Sequence, residues 1–320
     1  MKNTGRVSTA QTPIRTGLLT ALALLAFAAN SLLCRLALGP GEIDAGSFTL
    51  LRLVSGAIVL VLLVSLSRGF GPRGRGGSWI SGGMLFLYAM GFSLAYRSLA
   101  VGTGALLLFG AVQATMLLAA LRSGERPHPW TWGGLGLALA GLCILVGPGL
   151  QAPSPGGAVL MIAAGIAWGI YSLRGRGAHD PLAATTDNFV RSVPLVFAAG
   201  LGAWLGTGPL HASPRGVLLA ITSGAVTSGV GYVIWYAALR GLTATRAATV
   251  QLAVPILAAL AGALLLGEAI TVRLAASAAF ILGGIAVVLR EKAREAVTRA
   301  RAEAEGPDPT RSAGPSRNEP

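Results

Sequence analysis

The sequence predicts an all-α integral membrane protein with ten transmembrane helices, arranged as two inverted five-helix repeats with both termini in the cytoplasm. Three observations predict this fold class: the composition, the recurrence of long apolar runs, and a repeated spacing of polar residues. Hydrophobic residues make up 53% of the 320 residues and charged residues only 12%. Soluble domains carry about 25% charged residues. A lipid environment therefore fits the composition better than water does.

The apolar runs recur at lengths near the roughly 20 residues that a helix needs to cross a bilayer. They are separated by short connections rich in Gly, Pro, Ser and Arg, which are typical of turns. The predicted spans are 17–38, 45–66, 78–99, 102–121, 130–150, 156–174, 185–206, 215–239, 243–266 and 270–290. The predicted domains are an N-terminal segment (1–16), a first repeat (17–150), a second repeat (156–290) and a cytoplasmic tail (291–320). The composition of the tail predicts a short charged helix followed by disorder.

The formal net charge of +13 first suggests nucleic acid as a partner, but the basic residues are placed differently. They lie between and beyond the apolar runs, and no basic cluster is interleaved with aromatic residues, so nucleic-acid binding is not expected. If the N-terminus is cytoplasmic, 19 of the 25 Lys and Arg residues fall on the inner side. This asymmetry is the positive-inside pattern. It predicts a multi-pass protein of the cytoplasmic membrane of a bacterium.

An internal repeat appears when the second half of the sequence is laid over the first. Arg35 and Arg174 are 139 residues apart, and so are Arg52 and Arg191. Further pairs at similar offsets are Tyr96 and Tyr236, Leu99 and Leu239, and Gly124-Glu125 and Gly267-Glu268. A repeated unit with an odd number of spans enters the membrane in opposite orientations, which predicts an inverted repeat of the kind found in secondary transporters.

The segment from Tyr236-Ala237-Ala238-Leu239 through Pro255 to Gly267-Glu268, with the Ala/Gly-rich last helix, resembles the EamA domain of the drug/metabolite transporter superfamily. Trp168 in the sixth span also fits this resemblance, which covers about residues 17–290. It implies a ten-helix inverted-repeat carrier, and many members of this family export amino acids, other metabolites or toxic compounds. The fourth span departs from the family pattern because it lacks the usual proline.

Two arginines are the first candidates for the substrate pathway. Arg52 and Arg191 lie about seven residues inside their predicted spans, where an ionised side chain costs at least about 2.5–3.5 kcal/mol. Such groups tend to face a cavity or a partner. The alternative is that each guanidinium extends toward the nearer headgroups or pairs internally to fix helix packing.

Other polar and aromatic side chains within spans are further candidates for the pathway. Asn30, Gln113 and Gln251 could each hydrogen-bond a ligand, or form an interhelical hydrogen bond worth about 0.6 kcal/mol. Trp168 and Tyr232 could stack on a flat or cationic ligand, or belong to ordinary packing. These residues and the two arginines are predicted to lie near a cavity between the two halves.

Helix ends and one helix break complete the set of candidates. Glu125 and Glu268 end the fourth and ninth spans and are predicted to have gating or structural roles, with Arg273 a candidate partner of Glu268. Pro255 is predicted to kink the ninth helix near Gln251.

The function predicted from these features is secondary-type transport, with export of small metabolites or drugs by alternating access. A non-transporting membrane scaffold or sensor is the main alternative, and a membrane-embedded enzyme is a weaker one. The sequence contains no phosphate-binding Gly-rich loop ending in Lys-Ser or Lys-Thr, and its histidines and cysteines lack metal-ligand spacing. No cofactor or metal is therefore expected. The expected partners are a small-molecule substrate and the bilayer, and a homodimer is left open.

Overall fold

The computed structural model describes residues 13–68, 76–122, 129–149, 152–175, 178, 180–207, 211–242, 247 and 250–305. Within these ranges the chain is helical, and β structure is limited to one isolated bridge between Ile43 and Ala212. The helices are α1 (Pro13–Leu38), α2 (Ala45–Arg68), α3 (Trp79–Tyr96), α4 (Val101–Arg122), α5 (Pro129–Val146), α6 (Pro155–Gly175), α7 (Pro181–Thr207), α8 (Pro214–Leu239), α9 (Ala253–Leu266) and α10 (Val272–Glu305). A π-helical segment, Ser223–Val230, lies inside α8.

Seven of the described helices are long and apolar enough to cross a membrane. They are Pro13–Leu38, Ala45–Leu66, Trp79–Tyr96, Val101–Ala119, Pro155–Gly175, Pro214–Leu239 and Val272–Arg290. Trp132–Val146 of α5 and the whole of α9 are apolar but shorter. The long helix α7 does not meet the same criterion, and it carries a polar run from Thr185 to Asn188. The fold is thus that of an all-α membrane protein.

The distribution of polar residues is reversed relative to a soluble protein, as α1 illustrates. Leu18, Leu22 and Leu25 on one face are more than half exposed. The opposite face buries Asn30 and Ser31. Exposed leucines at helical spacing match a hydrocarbon solvent, whereas the buried polar groups find partners inside the bundle.

Local signals explain where several helices begin and end. Ser78 caps α3 because its hydroxyl accepts a hydrogen bond from the amide of Ser81 at 3.1 Å. Ser213 caps α8 in the same way, and Pro214 follows at the first helical position. Gly267 ends α9 in the left-handed conformation, with φ of 65°, which glycine adopts without steric cost.

The main helix contacts join the first five helices to the last five. The helix α1 packs on α8 and α9, and α6 packs on α3 and α4. Likewise α2 packs on α8, and α7 packs on α3. The other main contacts between the halves are α2 with α7, α4 with α9, and α5 with α10. Exchanging each helix with the one five positions along leaves this pattern unchanged.

The bundle has two ends, which are named here by one residue each. The Gly39 end comprises the described connections 39–44, 97–100, 147–149, 152–154, 211–213 and 267–271. Hydrogen bonds join several of them. The Asp44 amide donates to the carbonyl of His211, and the hydroxyls of Ser98 and Ser154 share a hydrogen bond. The Ser78 end comprises the start of α1 and the described connections 76–78 and 240–242. A Cβ atom on Gly241 would collide with Thr16, so these segments are in direct contact there.

Candidate functional site

Arg52 lies about 10 Å along α2 from the Gly39 end, at 1.5 Å per residue, and is only 3% exposed. Its Nη2 donates to the hydroxyl of Tyr88 at 3.1 Å, and its Nε donates to the hydroxyl of Ser228 at 3.4 Å. The third nitrogen, Nη1, is buried and has no hydrogen-bond partner among the described residues. The guanidinium therefore carries a full charge with incomplete hydrogen bonding.

The guanidinium of Arg52 also lies over two aromatic rings of α3. Its central carbon is 5.3 Å from the ring centre of Tyr88 and 5.1 Å from that of Phe92. Ring quadrupoles offset part of the cost of a buried cation, by about 0.5–2 kcal/mol. They are weaker counter-charges than a carboxylate, so much of the positive potential at this site remains.

A continuous set of aromatic side chains, called here the aromatic cluster, extends from these two rings. Trp168 is central, with ring centres 4.8 Å from Tyr88, 5.2 Å from Tyr171 and 5.6 Å from Tyr232. The Trp168 ring is stacked with the ring of Tyr171 and with the ring of Tyr232. The members of the cluster are Phe27, Tyr88, Phe92, Tyr96, Trp168, Tyr171, Phe189, Tyr232, Trp235 and Tyr236. Trp168 and Tyr232 thus lie in one apolar, aromatic surface beside a cation.

Asn30 joins α1 to the π-helical segment of α8. Its side-chain oxygen accepts hydrogen bonds from Ser223 at 2.7 Å and from Thr227 at 3.2 Å. The next residue of this segment, Ser228, is the one that meets Arg52. A Cβ on Gly224 would collide with the carbonyl of Arg52, so α8 lies directly on the α2 backbone at this point.

Arg191 has a different environment from that of Arg52. Its Nη1 forms an ion pair with Asp187, one turn earlier in α7, at 3.3 Å. Asp187 also accepts a hydrogen bond from the amide of Gly77, so the pair lies against the Ser78 end. No hydrogen bond or ring contact of the described residues links Arg191 to the aromatic cluster.

Gln113 lies midway along α4, and Gln251 lies just before α9. Both are half-buried, and no hydrogen bond joins either amide to another described residue. Pro255 occupies the first turn of α9, where a missing backbone N–H costs no helical hydrogen bond. Within the described part of the chain, no hydrogen bond links Gln113 or Gln251 to the aromatic cluster.

Glu268 connects three segments at the Gly39 end. It forms an ion pair with Arg35 of α1 at 3.3 Å and accepts a hydrogen bond from the amide of Val101, the first residue of α4, at 2.7 Å. Arg35 also donates to the carbonyls of Tyr96 and Arg97. Arg273 is not the partner of Glu268, because its guanidinium bonds the carbonyls of Ile144 and Gly147. Glu125 lies outside the described residues.

Two clefts open near the Arg35–Glu268 ion pair. The larger one, about 800 Å³ in volume, lies between the connections of the Gly39 end and reaches Leu94 of α3 and Leu160 of α6. Asp44, Arg97 and His211 contribute its charged and polar rim. The second cleft, about 320 Å³, is bordered by Glu268 and Thr103. The described residues contain no group of metal-ligating side chains.

Sequence reasoning missed three residues of the site, namely Tyr88, Phe92 and Ser228. A signal for the first two exists, since Tyr88, Phe92 and Tyr96 follow one another at four-residue spacing and so share one face of α3. Ser228 carries no comparable signal. Its contact with Arg52 depends on the π-helical geometry of α8.

An exterior of exposed apolar side chains around an interior with a buried cation defines a multi-pass membrane protein with a polar centre. The comparisons with known proteins agree with this class. Residues 155–290 match the model of the EamA-like transporter family. An uncharacterized protein of Pseudomonas aeruginosa is 54% identical over 275 residues, which cover 86% of this chain and 94% of that protein.

An uncharacterized transporter of Archaeoglobus fulgidus is 25% identical over 261 residues, which cover 77% of this chain and 87% of that protein. The fold is similar to that of a solved crystal structure with a TM-score of 0.60 and 22% identity, over 87% of this chain and 98% of the other. The chain belongs to the EamA-like transporter family of the drug/metabolite transporter superfamily. It is therefore a membrane transporter.

Proposed function

We propose that this chain is a secondary-type transporter that exports a small metabolite or drug by alternating access, with its substrate site at Arg52 and the aromatic cluster. The observation that carries the proposal is the partly unsatisfied guanidinium of Arg52, buried beside Tyr88 and Trp168 in the centre of an apolar bundle. Intramembrane charges without a structural partner are costly and are usually retained for function.

The packing pattern suggests which helices move together. Because α1 packs on α8 and α9 while α6 packs on α3 and α4, each moving body combines helices from both halves of the sequence. Arg52 and Ser228 belong to α2 and α8, whereas Tyr88 and Trp168 belong to α3 and α6. The proposed substrate site thus lies where the two bodies meet, and a relative rotation would open it to one end or the other.

The contacts at the Gly39 end support a gate there. Arg35 belongs to the first body, and it is tied to the α3–α4 connection of the second through the carbonyls of Tyr96 and Arg97. Glu268 holds the same two segments together through Arg35 and Val101. We assign this set as the closed gate of the state that the structure represents.

The same packing pattern supports ten spans in two inverted repeats, since it is unchanged when each helix is exchanged with the one five positions along. The positive-inside asymmetry supports cytoplasmic termini in a bacterial cytoplasmic membrane. Single cysteines placed at the Gly39 and Ser78 ends, in a protein without Cys34 and Cys143, test this topology. Labelling by an impermeant maleimide from the outside is expected at the Gly39 end only.

Flux measurements test the proposed activity directly. Metabolite profiles of cells and medium, with and without the protein, identify what leaves the cell, and proteoliposomes loaded with that compound are expected to release it. The control is a double variant that carries both Tyr88→Ala and Trp168→Ala. At equal abundance it is expected to be inactive. A protein that changes no metabolite profile and releases nothing from vesicles, while retaining specific protein partners, is a scaffold or sensor instead.

The role of the Arg35–Glu268 ion pair as a gate can be tested separately. Glu268→Gln removes the ion pair with Arg35. A cysteine introduced at Ser31, which is buried one helical turn deeper than Arg35, is therefore expected to react faster with the impermeant maleimide than in the protein with Glu268. Arg273→Gln provides the control, because Arg273 has no hydrogen bond or ion pair with Glu268 among the described residues. Equal rates in the two variants would contradict the gate.

A further inference from the structure

We propose that the transported substrate is a monoanion, with a carboxylate that binds the free edge of the Arg52 guanidinium and an apolar or aromatic body that packs on the aromatic cluster. This inference rests on the proposed function and adds the chemical class of the substrate.

Among the described residues, no carboxylate pairs with Arg52. The four described acidic residues nearest to membrane depth are all bound elsewhere. Asp187 pairs with Arg191, and Glu268 pairs with Arg35. Glu42 binds Ser213 and Arg215, and Asp44 caps the start of α2 at Ser47. A counter-charge for Arg52 must therefore come from outside this set of residues.

The hydrogen-bond donors of Arg52 are only partly used. Tyr88 takes Nη2 and Ser228 takes Nε, which leaves Nη1 without a partner among the described residues. A guanidinium presents its donors as a planar fork that matches a carboxylate. An oxyanion at the Nη1 edge would satisfy the free donor and neutralise the charge at once. A neutral ligand would do only the first of these.

The surroundings of Arg52 favour a ligand with a single negative charge. A single buried cation compensates one negative charge, and a second one would remain unpaired in the same apolar surroundings. Phosphate monoesters, which are largely dianionic at neutral pH, are therefore poorer ligands than carboxylates. Organic cations are excluded more strongly, because they would place a second positive charge beside a buried guanidinium.

The aromatic cluster offers a surface for the rest of the ligand. Trp168 is half-buried rather than buried, and its ring is stacked with that of Tyr171 and with that of Tyr232. Tyr88 bridges this stack to Arg52, because its ring contacts Trp168 at 4.8 Å while its hydroxyl holds Nη2. A flat or apolar body attached to a carboxylate would meet both features together. A small inorganic anion would meet only the charge.

The test uses the full-length protein in detergent and four probes that share one ring: benzoate, benzyl alcohol, benzylammonium and phenyl phosphate. Thermal stability is followed against probe concentration, with chloride held constant. We expect benzoate to raise the unfolding temperature in a saturable manner. Each of the other three is expected to need at least tenfold higher concentration for the same shift. Equal shifts with benzoate and benzyl alcohol would overturn the proposal.

Variants assign the effect to Arg52. In Arg52→Gln the shift by benzoate is expected to need at least tenfold more ligand, and in the matched control Arg174→Gln it is expected to be unchanged. Arg174 has the same charge but donates to Ser78 and Ser81, near the Ser78 end. If Arg52→Gln does not fold, Tyr88→Phe removes only the hydroxyl that orients Nη2 and is expected to weaken benzoate selectively. Unchanged benzoate binding in the folded variant would overturn the proposal.

The proposal and the transport function fail in distinguishable ways. If metabolite profiling identifies a neutral or cationic exported compound, the protein is a transporter and the inference about a monoanion is wrong. If benzoate binds through Arg52 but no compound crosses the membrane, the carboxylate site at Arg52 is supported and the proposed transport function is contradicted. Export of a carboxylate that is lost in Arg52→Gln would support both.

Discussion

Arg52 and Arg191 invite comparison because they stand 139 residues apart, in helices α2 and α7 that pack on each other. Four residues before Arg191 the chain has Asp187, and the two side chains form an ion pair at 3.3 Å. Four residues before Arg52 it has Phe48, which is fully buried. One arginine therefore has its counter-ion one helical turn away, whereas the other has an aromatic ring at the corresponding position.

The presence or absence of a neighbouring carboxylate shows how one intramembrane arginine, Arg191, can be structural while the other, Arg52, can be functional. A neighbouring carboxylate neutralises a guanidinium permanently and ties it to local packing. Without that carboxylate, a buried guanidinium remains a site of positive potential that a ligand can use. We expect stability to depend more on Arg191, and transport to depend more on Arg52.

The largest effect is expected from removing the unpaired charge. Arg52→Met is expected to lower transport of a carboxylate substrate by about 30- to 100-fold, since a hydrogen bond to a charged group contributes about 2–3 kcal/mol. The ligand-free protein is expected to be as stable as the original or more stable, because an uncompensated buried charge has been removed. Proteoliposome flux and thermal unfolding in detergent measure the two quantities.

Arg191→Met is the matched variant for this comparison. It leaves Asp187 without its cation, so its unfolding temperature is expected to fall while carboxylate binding stays within about threefold of the original. Similar losses of flux at equal stability in both variants would remove the distinction between the two arginines.

An intermediate effect is expected from the glycines that let a neighbouring helix approach each arginine. A methyl group on Gly224 would overlap the carbonyl of Arg52, and one on Gly82 would meet the Cβ of Arg191 at 2.9 Å. Overpacking of this kind typically costs about 1–3 kcal/mol. Gly224→Ala is expected to destabilise more than Gly82→Ala, because backbone moves less easily than a side chain.

Gly83→Ala is the control for this series, since a methyl group there meets nothing within 4 Å. Thermal unfolding of the three purified proteins ranks them. A Gly224→Ala protein as stable as Gly83→Ala would mean that α8 does not rest on α2 at Arg52.

The smallest effect is expected from the ion pair itself. Arg191 and Asp187 are both partly exposed, with side-chain exposures of 23% and 17%, so their coupling is expected to be only about 0.5–1 kcal/mol. A double-mutant cycle with Asp187→Asn and Arg191→Gln, by equilibrium unfolding in mixed micelles, measures it. A coupling near zero would show that the pair lies in water rather than against α3.

Hydropathy predicts most helix positions because lipid solvation acts on each segment separately. The predicted span 45–66 corresponds to α2 (Ala45–Arg68) in this way. The last span shows the limit, because α10 continues from the apolar part into charged residues as far as Glu305. Helix propensity and hydrophobicity are different quantities, and only the second marks where a membrane ends.

Site contacts were less predictable because they depend on packing between distant segments. The spacing of Arg35, Arg52, Arg174 and Arg191 marks equivalent positions, but it contains no information on which helix each arginine faces. Arg273, five residues from Glu268, was the candidate partner from sequence, whereas the partner in the structure is Arg35, 233 residues away. The Asp187–Arg191 pair was predictable in principle, since a four-residue spacing places both side chains on one helix face.

The π-helical stretch Ser223–Val230 would have a mechanical consequence in the proposed alternating-access cycle. Its wider turns advance fewer degrees per residue than ordinary helical ones. Tightening them would swing Tyr232 around the axis of α8 while Ser213 stays anchored to Glu42. Each backbone amide would change its hydrogen-bond acceptor from one carbonyl to the next. No backbone polar group would therefore lose its hydrogen bond inside the hydrocarbon region during this rotation. Such a change would let the part of α8 after the π-helical segment rotate relative to the part before it, without a break in the helix.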